Sequence, residues 1–377
     1  MCIRDRSRCN QSNIGLVYFS DPASVINTSF QISSEWMNTS LDQRALVLTE
    51  VANSIETQSL QFIYLLMHEA GKTIQDAHDE IREAVDFLRY YSQQSSSLNS
   101  HSLQLGPTGE DNILEYCPKG LVACISPWNF PLAITLGQIA AALVTGNTVI
   151  AKASEETSLI AFKALSLFFD HGLPNDALHL LLGDGELGQA IISSQDLDLV
   201  VFTGSLKTAK NIHNNLSTKP GKIIPLIAET GGLNSMIVDS SALIERACDD
   251  IMRSAFNSAG QRCSALRLLL VHETIYKELI FILKGMMNEL IVGNPIDSSV
   301  DMGPMITLDA AHELYDYLDQ VDPARIAIFQ PKTSPNHGKQ WFPPTLIEVN
   351  SIPSSRKISI VFSIKYTPGI GCKSVSI

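Results

Sequence analysis

The sequence predicts an α/β protein, with a doubly wound parallel sheet followed by a second α/β unit. From residue 120 onward, short apolar runs of strand length alternate with segments whose apolar residues recur at helical spacing. The chain has 377 residues, which is long for one domain and suggests two. Its apolar fraction of 45% is ordinary for a globular protein and excludes a disordered one.

The first unit begins with helices and continues as alternating strands and helices. Apolar residues at helical spacing predict helices over residues 41–70 and 74–91, and a Ser/Gln-rich stretch predicts a loop over residues 92–102. Strands are then predicted over residues 121–125, 148–152, 178–182, 197–202 and 223–228. The helices between them are predicted over residues 132–143, 158–170, 186–193 and 206–216, with glycines after the first two as stop signals.

A second α/β unit begins near Leu233. Its predicted strands are residues 235–238 and 266–271, and its predicted helices are residues 243–258 and 276–290. The two ends of the chain fit this alternation less well. Residues 1–10 join nothing periodic, and the sequence after Val349 is rich in Ser, Lys and Ile without a clear order of elements.

Composition excludes several classes of function. The net charge of −12 argues against a main surface that binds nucleic acid. The seven scattered cysteines fit a reducing compartment rather than a disulfide scaffold or zinc site. The sequence contains no H-E-x-x-H motif, so it gives no support for a catalytic metal centre. The start lacks the apolar core of a signal peptide, and the most apolar helical stretch, residues 132–144, is too short to span a bilayer.

Cys263 is a candidate nucleophile. It follows a predicted helix in the run Gly260-Gln-Arg-Cys263, and the neighbouring Arg262 favours the thiolate, which is the nucleophilic form. The alternative is that Cys263 is a small buried apolar side chain, as a lone cysteine more often is. Cys124, inside a predicted strand, suits that second role better.

Two polar side chains follow predicted strands of the first unit. Glu229 ends one strand, and Asn129 comes after another. Ligands of open α/β sheets bind at the carboxyl ends of strands, where a carboxylate can act as a base and an amide can donate to an oxyanion. The alternatives are a turn or capping residue for Glu229 and a rigid Pro-bounded loop for Asn129. Together with Cys263, the two side chains suit covalent chemistry on a carbonyl group.

Gly183-Asp-Gly-Glu-Leu-Gly188 matches the glycine fingerprint of dinucleotide-binding turns. That fingerprint calls for an acidic residue about 20 positions further on. The sequence has Phe202 there and no carboxylate. We therefore favour a tight strand-to-helix turn that needs glycine for backbone reasons.

Five runs, in this order, resemble the aldehyde dehydrogenase superfamily. They are Ser126-Pro-Trp-Asn-Phe-Pro131, Ala151-Lys-Ala-Ser-Glu155, Phe202-Thr-Gly-Ser205, Glu229-Thr-Gly-Gly232 and Gly260-Gln-Arg-Cys263. The match extends from about Ile14 to about Val349. Residues 82–91, 227–242 and 258–267 are most similar to L-glutamate γ-semialdehyde (1-pyrroline-5-carboxylate) dehydrogenases, and in particular to the dehydrogenase half of bacterial bifunctional proline-utilisation proteins.

The resemblance implies the aldehyde dehydrogenase fold, with a doubly wound cofactor-binding domain and a second, catalytic α/β domain. It implies NAD-dependent oxidation of L-glutamate γ-semialdehyde to L-glutamate, the second step of proline degradation, through a cysteine thiohemiacetal and thioester. Two alternatives stay open, namely an aldehyde dehydrogenase of another substrate and a non-catalytic remnant.

The same resemblance implies a role for each site residue. Cys263 resembles the nucleophile, Asn129 with the backbone N–H of Cys263 resembles the oxyanion hole, and Glu229 resembles the base that activates water. The residues implied to hold the cofactor are Lys152, Glu155, Gly204, Ser205 and Trp128. Those implied to meet the substrate are Ser264, Phe130 and Glu83.

The sequence departs from the family pattern at both ends. The family's later E-x-F-G-P motif is expected soon after Val349, where the chain reads Arg356-Lys-Ile-Ser-Ile-Val-Phe362. The glycine-rich anchor loop for the substrate and the C-terminal pairing segment are missing as well. We therefore expect an enzyme fragment. Its expected parts are a foreign stub (1–13), an NAD-binding domain with N-terminal helices (14–232), a truncated catalytic domain (233–350) and an atypical tail (351–377).

The resemblance also implies partners and a location. The expected partner is a small-molecule substrate, with no nucleic acid bound by this region. The resemblance leaves open an upstream proline dehydrogenase domain in the parent protein. The family's homo-oligomer would need the C-terminal segment. The expected location is cytoplasmic, with a parent protein that can lie peripherally at the inner membrane.

Overall fold

The structure is a computed structural model of the chain, and it describes residues 2–6, 13–18, 20–27, 30–99, 102–104, 106–321, 327–331, 340–349 and 360–366. These residues belong to two compact units. The first unit is drawn from Met1–Ser7, Ser12–Ala70 and Ala77–Thr230, and the second mainly from Gly71–Asp76 and Gly231–Ile377. The domain boundaries expected from the sequence stay predictions.

The described residues form the following helices and strands. The helices are α1 (Pro22–Asn27), α2 (Ser34–Asn38), α3 (Leu41–Thr57), α4 (Ser59–Glu69), α5 (Ile74–Ser95), α6 (Ala133–Val144), α7 (Ser158–Asp170), α8 (Gly185–Ser193), α9 (Leu206–Thr218), α10 (Ile244–Phe256), α11 (Tyr276–Glu289) and α12 (Leu308–Gln320). The strands are β1 (Cys2–Arg6), β2 (Asn13–Tyr18), β3 (Ser102–Gln104), β4 (Asn112–Leu114), β5 (Leu121–Ile125), β6 (Thr148–Lys152), β7 (Leu178–Leu181), β8 (Leu199–Gly204), β9 (Leu226–Thr230), β10 (Asn234–Val238), β11 (Leu266–His272), β12 (Ala327–Phe329), β13 (Thr345–Glu348) and β14 (Ile360–Tyr366).

The first unit contains a parallel five-stranded sheet in the order β7-β6-β5-β8-β9. Strands β5 and β6 are buried at every residue, as expected for a parallel sheet covered on both faces. Val122 and Cys124 join one apolar core, while Leu121 and Ala123 join another, because successive side chains point to opposite faces. The chain reverses its winding between β5 and β8, so the predicted doubly wound sheet is confirmed.

A buried glutamate caps the helix that follows β6. Glu69, the last residue of α4, accepts hydrogen bonds from the backbone N–H groups of Leu159 (2.8 Å) and Ile160 (2.7 Å) in the first turn of α7. The N-cap residue of α7 makes no side-chain hydrogen bond of its own. The carboxylate therefore pairs N–H groups that have no partner within the helix, at the end of the helix dipole that favours negative charge.

The second unit contains a sheet in the order β10-β11-β14-β13-β12, in which only β12 runs antiparallel to its neighbour. Its apolar core includes Phe256, Leu269, Leu283 and Phe342. Strand β14 lies between β11 and β13, although it comes from the segment that the sequence predicts to be an atypical tail. The rest of that segment, residues 351–359 and 367–377, lies outside the described residues.

Several elements differ from the sequence-based expectations. The helical pattern over residues 41–70 forms two helices that meet at Gln58. The loop predicted from residue 92 is wrong at its start, because α5 continues to Ser95 and a short 3₁₀ turn follows. Strand β1 lies within the predicted stub region, of which residues 1 and 7–12 are not described, and it pairs with β2, which begins at the last residue of that region. Helix α12 and strands β12 and β13 have no counterpart among the predicted elements.

We predict that Glu69→Ala destabilises the first unit by about 2–4 kcal/mol, because two buried N–H groups lose their acceptor. The stability of Glu69→Gln should lie between those of Glu69→Ala and the wild type, since one amide oxygen remains as an acceptor. Urea unfolding followed by tryptophan fluorescence measures the change, with the buried Trp36 as a reporter of this unit. Glu289→Ala, at an exposed position of α11, is the control and should change stability by less than about 0.5 kcal/mol. Equal stabilities of Glu69→Ala and Glu289→Ala would contradict the capping role.

Candidate active site

The carboxyl edge of the parallel sheet carries most of the predicted site residues of the first unit. They are Trp128, Asn129 and Phe130 after β5, Lys152 and Glu155 at and after the end of β6, Gly204 and Ser205 at and after the end of β8, and Glu229 in β9. Because parallel strands end at the same edge of a sheet, the fold gathers these residues along one edge. This is where open α/β sheets bind their ligands.

The loop that carries Asn129 is fixed where it leaves β5. The backbone N–H of Ser126 donates to the carbonyl oxygen of Lys152 (3.0 Å). The Ser126 hydroxyl accepts from Thr135 Oγ1 (2.7 Å), which belongs to α6. Both hydrogen bonds hold the first residue of the loop against the neighbouring strand and the following helix.

The other end of this loop is held by Glu80. Its Oε1 accepts from the backbone N–H groups of Leu132 (2.8 Å) and Ala133 (3.2 Å), at the start of α6. Glu80 is fully buried, and the N-cap residue of α6 has no side-chain cap. Asn129 is therefore a half-buried amide in a loop with two fixed ends, which suits the predicted oxyanion role.

Gln138 is a polar residue at the carboxyl edge of the sheet to which the sequence reasoning gave no role. It interrupts the apolar pattern of α6, and its Nε2 donates to Thr203 Oγ1 (2.9 Å) and to the carbonyl oxygen of Ile125 (3.4 Å). Gln138 thereby ties the carboxyl end of β5 to that of β8. A polar residue inside an otherwise buried helix was the available signal, because such a side chain needs a hydrogen-bond partner.

Lys152 and Glu155 form a partly buried pair at the end of β6. The Lys152 ammonium lies 3.5 Å from Glu155 Oε2 and also donates to the carbonyl oxygen of Ala153 (3.3 Å). Burial lowers the pKa of Lys152, and the Glu155 carboxylate raises it in part. Gly188 lies beside the lysine side chain, where an added Cβ would make an ordinary contact of 3.6 Å with Lys152 Cδ.

Ser205 is the N-cap of α9. Its hydroxyl accepts from the backbone N–H of Thr208 (3.1 Å) and shares a hydrogen bond with the Thr208 hydroxyl (2.8 Å). Gly204 before it approaches Phe202 so closely that an added Cβ would lie 2.6 Å from the ring. The strand thus passes into a helix whose N–H groups face the carboxyl edge of the sheet.

These residues fit a nicotinamide dinucleotide. A lysine ammonium beside a glutamate carboxylate offers a donor and an acceptor to ribose hydroxyl groups. The N-terminus of α9 at Ser205 offers N–H groups and a favourable dipole to a pyrophosphate. The glycine fingerprint at residues 183–188 is a turn instead: Asp184 caps α8, and a Cβ at Gly183 would lie 2.7 Å from Leu187.

Glu229 lies inside β9, one residue before the strand ends, and its side chain is exposed. It pairs in register with Thr203 of β8. A position within the strand does not fit the alternative of a turn or capping residue. An exposed carboxylate can exchange protons with solvent, as a base that activates water must.

Cys263 belongs to the second unit, in a loop with unusual backbone geometry. We call residues 258–263 the nucleophile loop, after the role that the sequence predicts for Cys263. Ser258 and Ala259 both have φ +55° and Gly260 has φ +66°, so three consecutive residues are left-handed. This conformation costs about 1–2 kcal/mol for each non-glycine residue, and such strain is found mainly at functional sites.

Cys263 itself is exposed, whereas Cys124 and Cys248 are buried. Burial raises the pKa of the Cys124 thiol to about 12 and that of Cys248 to about 11, which keeps both protonated at neutral pH. The interpretation of Cys263 as a small buried apolar side chain is therefore wrong. Its carbonyl oxygen accepts from Asn234 Nδ2 (2.7 Å), which anchors the end of the nucleophile loop to β10.

Arg262 makes its hydrogen bonds to the preceding helix. Its Nη2 donates to the carbonyl oxygens of Arg253 (2.7 Å) and Ser254 (3.4 Å) near the end of α10. The guanidinium therefore binds the carbonyl end of the helix dipole, which favours positive charge. The expected effect of Arg262 on the Cys263 thiolate stays a prediction. Ser264, the predicted substrate residue beside Cys263, is exposed.

Glu83, the last predicted substrate residue, is exposed on α5 in the first unit. It lines a groove whose other walls come from the same helix, including Asp79, Arg82, Phe87 and Tyr90. Within the described part of the chain, no group of three His, Cys, Asp or Glu side chains could hold a metal ion. No helix in that part is long and apolar enough to cross a membrane.

Comparison with known proteins identifies the family. Residues 10–355 match the aldehyde dehydrogenase family along most of the chain. The chain belongs to this family. The resemblance drawn from the five sequence runs and the predicted aldehyde dehydrogenase fold are both confirmed.

Curated relatives of this aldehyde dehydrogenase include long bifunctional proteins. The bifunctional protein PutA of Klebsiella aerogenes is 40% identical over 333 residues, which cover 85% of this chain and 24% of the relative. The PutA of Salmonella typhimurium is 41% identical over 333 residues, which again cover 85% of this chain and 24% of the relative. The 1-pyrroline-5-carboxylate dehydrogenase 1 of Halalkalibacterium halodurans is 33% identical over 298 residues, 78% of this chain and 58% of the relative. The chain thus spans about a quarter of its PutA relatives.

Solved structures give the same relationship. A crystal structure of bifunctional proline utilization A (PutA) superposes with a TM-score of 0.88 at 40% identity, covering 93% of this chain and 37% of that one. A mutant of PutA from Bradyrhizobium japonicum gives a TM-score of 0.88 at 39% identity with the same coverage.

We predict that Lys152→Met weakens NAD binding by about 10-fold or more, because a charged hydrogen-bond donor is lost. The variant should be at least as stable as the wild type at pH 7. Burial puts the folded pKa of Lys152 below its ordinary 10.5, so between those values the unfolded chain binds more protons and wild-type stability rises with pH. The stability advantage of the variant should therefore shrink as pH approaches 10.5.

Calorimetric NAD titration and urea unfolding at pH 7, 9 and 10 measure both effects. Lys277→Met, at an exposed position of α11, is the control and should change neither quantity. Unchanged NAD affinity in Lys152→Met would remove this lysine from the cofactor site. A loss of stability at pH 7 would contradict the cost assigned to its buried charge.

Proposed function

We propose that this chain carries the NAD-dependent dehydrogenase activity that oxidises L-glutamate γ-semialdehyde to L-glutamate. The observation that carries the proposal is the exposed Cys263 on a strained loop, in a chain of the aldehyde dehydrogenase family. The substrate follows from relatives named 1-pyrroline-5-carboxylate dehydrogenase and PutA.

The first step is attack by the Cys263 thiolate on the aldehyde carbon. A carbon–sulfur bond forms, and the carbonyl electron pair moves onto oxygen to give a thiohemiacetal oxyanion. In this proposal the Asn129 amide and the backbone N–H of Cys263 donate to that oxygen. Donors fixed in advance stabilise such a charge strongly, and the hydrogen bonds at both ends of the Asn129 loop supply that rigidity.

The cofactor is held by the residues at the carboxyl edge of the first unit. Lys152 and Glu155 bind the adenosine ribose, Gly204 and Ser205 contact the pyrophosphate, and Trp128 forms a wall of the cleft. NAD, when bound, supplies the hydride acceptor that turns the thiohemiacetal into a thioester. The half-buried position of Trp128 fits a side chain that excludes water from this cleft.

The last step is hydrolysis of the thioester. Glu229 takes a proton from a water molecule, whose oxygen then attacks the acyl carbon and displaces the Cys263 thiolate. The product is a carboxylic acid, which ionises, and the exposed Glu229 returns its proton to solvent. The thioester carbonyl is more electrophilic than that of an ester, and water activated by a positioned base can hydrolyse it.

Three residues are assigned to the substrate. Ser264 holds its α-carboxylate, Phe130 forms a wall of the aldehyde tunnel, and Glu83 meets its α-ammonium. The charge of Glu83 is complementary to an ammonium, and its exposure leaves it accessible. In this proposal the chain is part of a longer protein, with a proline dehydrogenase domain upstream and a cytoplasmic location where thiols stay reduced.

We predict that the chain, or a longer protein containing it, produces NADH with 1-pyrroline-5-carboxylate and that Cys263→Ala abolishes this activity while NAD affinity stays within about twofold. Absorbance at the NADH band and calorimetric NAD titration measure the two effects. Cys117→Ala, which removes another exposed thiol, is the matched control and should keep full activity.

Four outcomes would count against the proposal. NADH production by Cys263→Ala would show that the nucleophile is wrong. Wild-type turnover with simple aldehydes but not with pyrroline-5-carboxylate would favour an aldehyde dehydrogenase of another substrate. Failure of L-glutamate to protect Cys263 from alkylation would support that second candidate, and no turnover with any aldehyde would indicate a non-catalytic remnant.

A further inference from the structure

The strained start of the nucleophile loop needs support from outside the loop. Ser258 is half-buried and left-handed, a conformation that serine avoids when nothing holds it. Its carbonyl oxygen accepts from the backbone N–H of Gln261 (3.0 Å) and from Gln261 Nε2 (3.3 Å). The turn from Ser258 to Gln261 is thus closed internally on the carbonyl side, two residues before Cys263.

The N–H side of Ser258 is held by Asp76. The backbone N–H of Ser258 donates to Asp76 Oδ2 at 3.0 Å, across 182 residues of sequence. Asp76 is buried, with 9% of its surface exposed. A hydrogen bond to a buried carboxylate is stronger than one between neutral groups, so this contact can stabilise the unfavourable backbone conformation.

Asp76 is itself fixed by the start of α5. The same oxygen, Oδ2, accepts from Thr73 Oγ1 (3.0 Å), and Thr73 Oγ1 accepts from the backbone N–H of Asp76 (3.2 Å). Thr73 and Asp76 are thus joined twice at the start of α5, once between their side chains and once between the Thr73 hydroxyl and the Asp76 backbone. The carboxylate therefore has a defined orientation before it reaches Ser258.

The segment before Asp76 and the side chain of Gln261 both lie against Pro304. Gly71 has φ +66°, and a Cβ there would lie 2.8 Å from Pro304 Cγ. The carbonyl oxygen of Pro304 accepts from Gln261 Nε2 (3.2 Å). Residues 71–76 and Pro304 thus support the nucleophile loop from two sides, one through Ser258 and one through Gln261.

The segment that precedes Ser258 is not closely packed on the side of Asp76. A cavity of about 450 Å³ lies there, lined among others by Thr73, Asp76, Phe256, Asn257 and Met302. Asn257, which directly precedes Ser258, therefore lacks packing neighbours on the side that faces this cavity. The hydrogen bond that the Ser258 N–H donates to Asp76 restrains the start of the loop on this side.

We propose that Asp76 is a positioning residue for the nucleophile Cys263, acting through the backbone N–H of Ser258. This inference rests on the proposed function of Cys263. If the bond is lost, Ser258 relaxes toward a right-handed or extended conformation, and the backbone up to Cys263 shifts with it. A displacement of about 1 Å at a reacting atom can lower a rate by about 100-fold.

The test compares Asp76→Ala with Asp76→Asn in the full chain. Asparagine keeps an oxygen that accepts from Ser258, whereas alanine does not. Hydrogen exchange of the peptide covering residues 257–264 should be at least about 10-fold faster in Asp76→Ala and near wild type in Asp76→Asn. In turnover with pyrroline-5-carboxylate, kcat of Asp76→Ala should fall by about 10- to 100-fold while KM for NAD stays within twofold.

Asp198→Ala is the matched control. Asp198 also accepts from a backbone N–H, that of Leu121 (2.8 Å), but in the first unit. Asp198→Ala should leave the hydrogen exchange of residues 257–264 unchanged. Equal acceleration in Asp198→Ala and Asp76→Ala would overturn the proposal, since the effect would then be general destabilisation.

The remaining outcomes separate this inference from the proposed function. Unchanged exchange in Asp76→Ala overturns it, and so does faster exchange with an unchanged kcat. If the wild type shows no turnover, the proposed function fails, and the alkylation rate of Cys263 relative to Cys117 replaces kcat. A changed ratio in Asp76→Ala that Asp76→Asn restores then supports the positioning role, and an unchanged ratio overturns it.

Discussion

The left-handed backbone at Ser258 and Ala259 is the constraint on which the proposed nucleophile, Cys263, depends. Neither residue is glycine, so the conformation persists only because surrounding groups compensate for its cost. The compensation comes from hydrogen bonds that fix both ends of the loop, including the one from Asn234 to the carbonyl oxygen of Cys263. The thiol is left exposed at the end of a rigid turn, which is the arrangement that attack on a bound aldehyde requires.

In the first unit, too, hydrogen bonds fix the loops that carry the candidate site residues. Its sheet brings the strand ends together, but the loops at that edge are held by polar side chains from helices. Glu80 pairs the first N–H groups of α6, and Gln138 links the ends of β5 and β8. Glu80 is buried and Gln138 is half-buried, and the loss of a hydrogen bond is costly at such positions, so each tends to keep one arrangement. Rigidity at the site thus comes from the helices behind it.

The sequence predicts the parallel strands well because each is a short apolar run that matches a fully buried strand, as in Leu121–Ile125. It also predicts the side chains whose chemistry is exposed at strand ends or loops, such as Cys263 and Glu229. Asp76 and Glu69 escape prediction, because an acidic residue in an amphipathic helix looks like a solvated one until the fold buries it. Strand β14 escapes because its neighbours β11 and β13 are distant in sequence.

In the proposed mechanism, an acyl group from the substrate becomes bound to Cys263. The most direct measurement is the peptide mass spectrum of Glu229→Ala after incubation with NAD and pyrroline-5-carboxylate and rapid acid quenching. Without its base the thioester should accumulate, so the peptide containing Cys263 should gain the mass of one glutamyl group. An unmodified Cys263 peptide alongside NADH formation, or the adduct on another residue, would contradict the account.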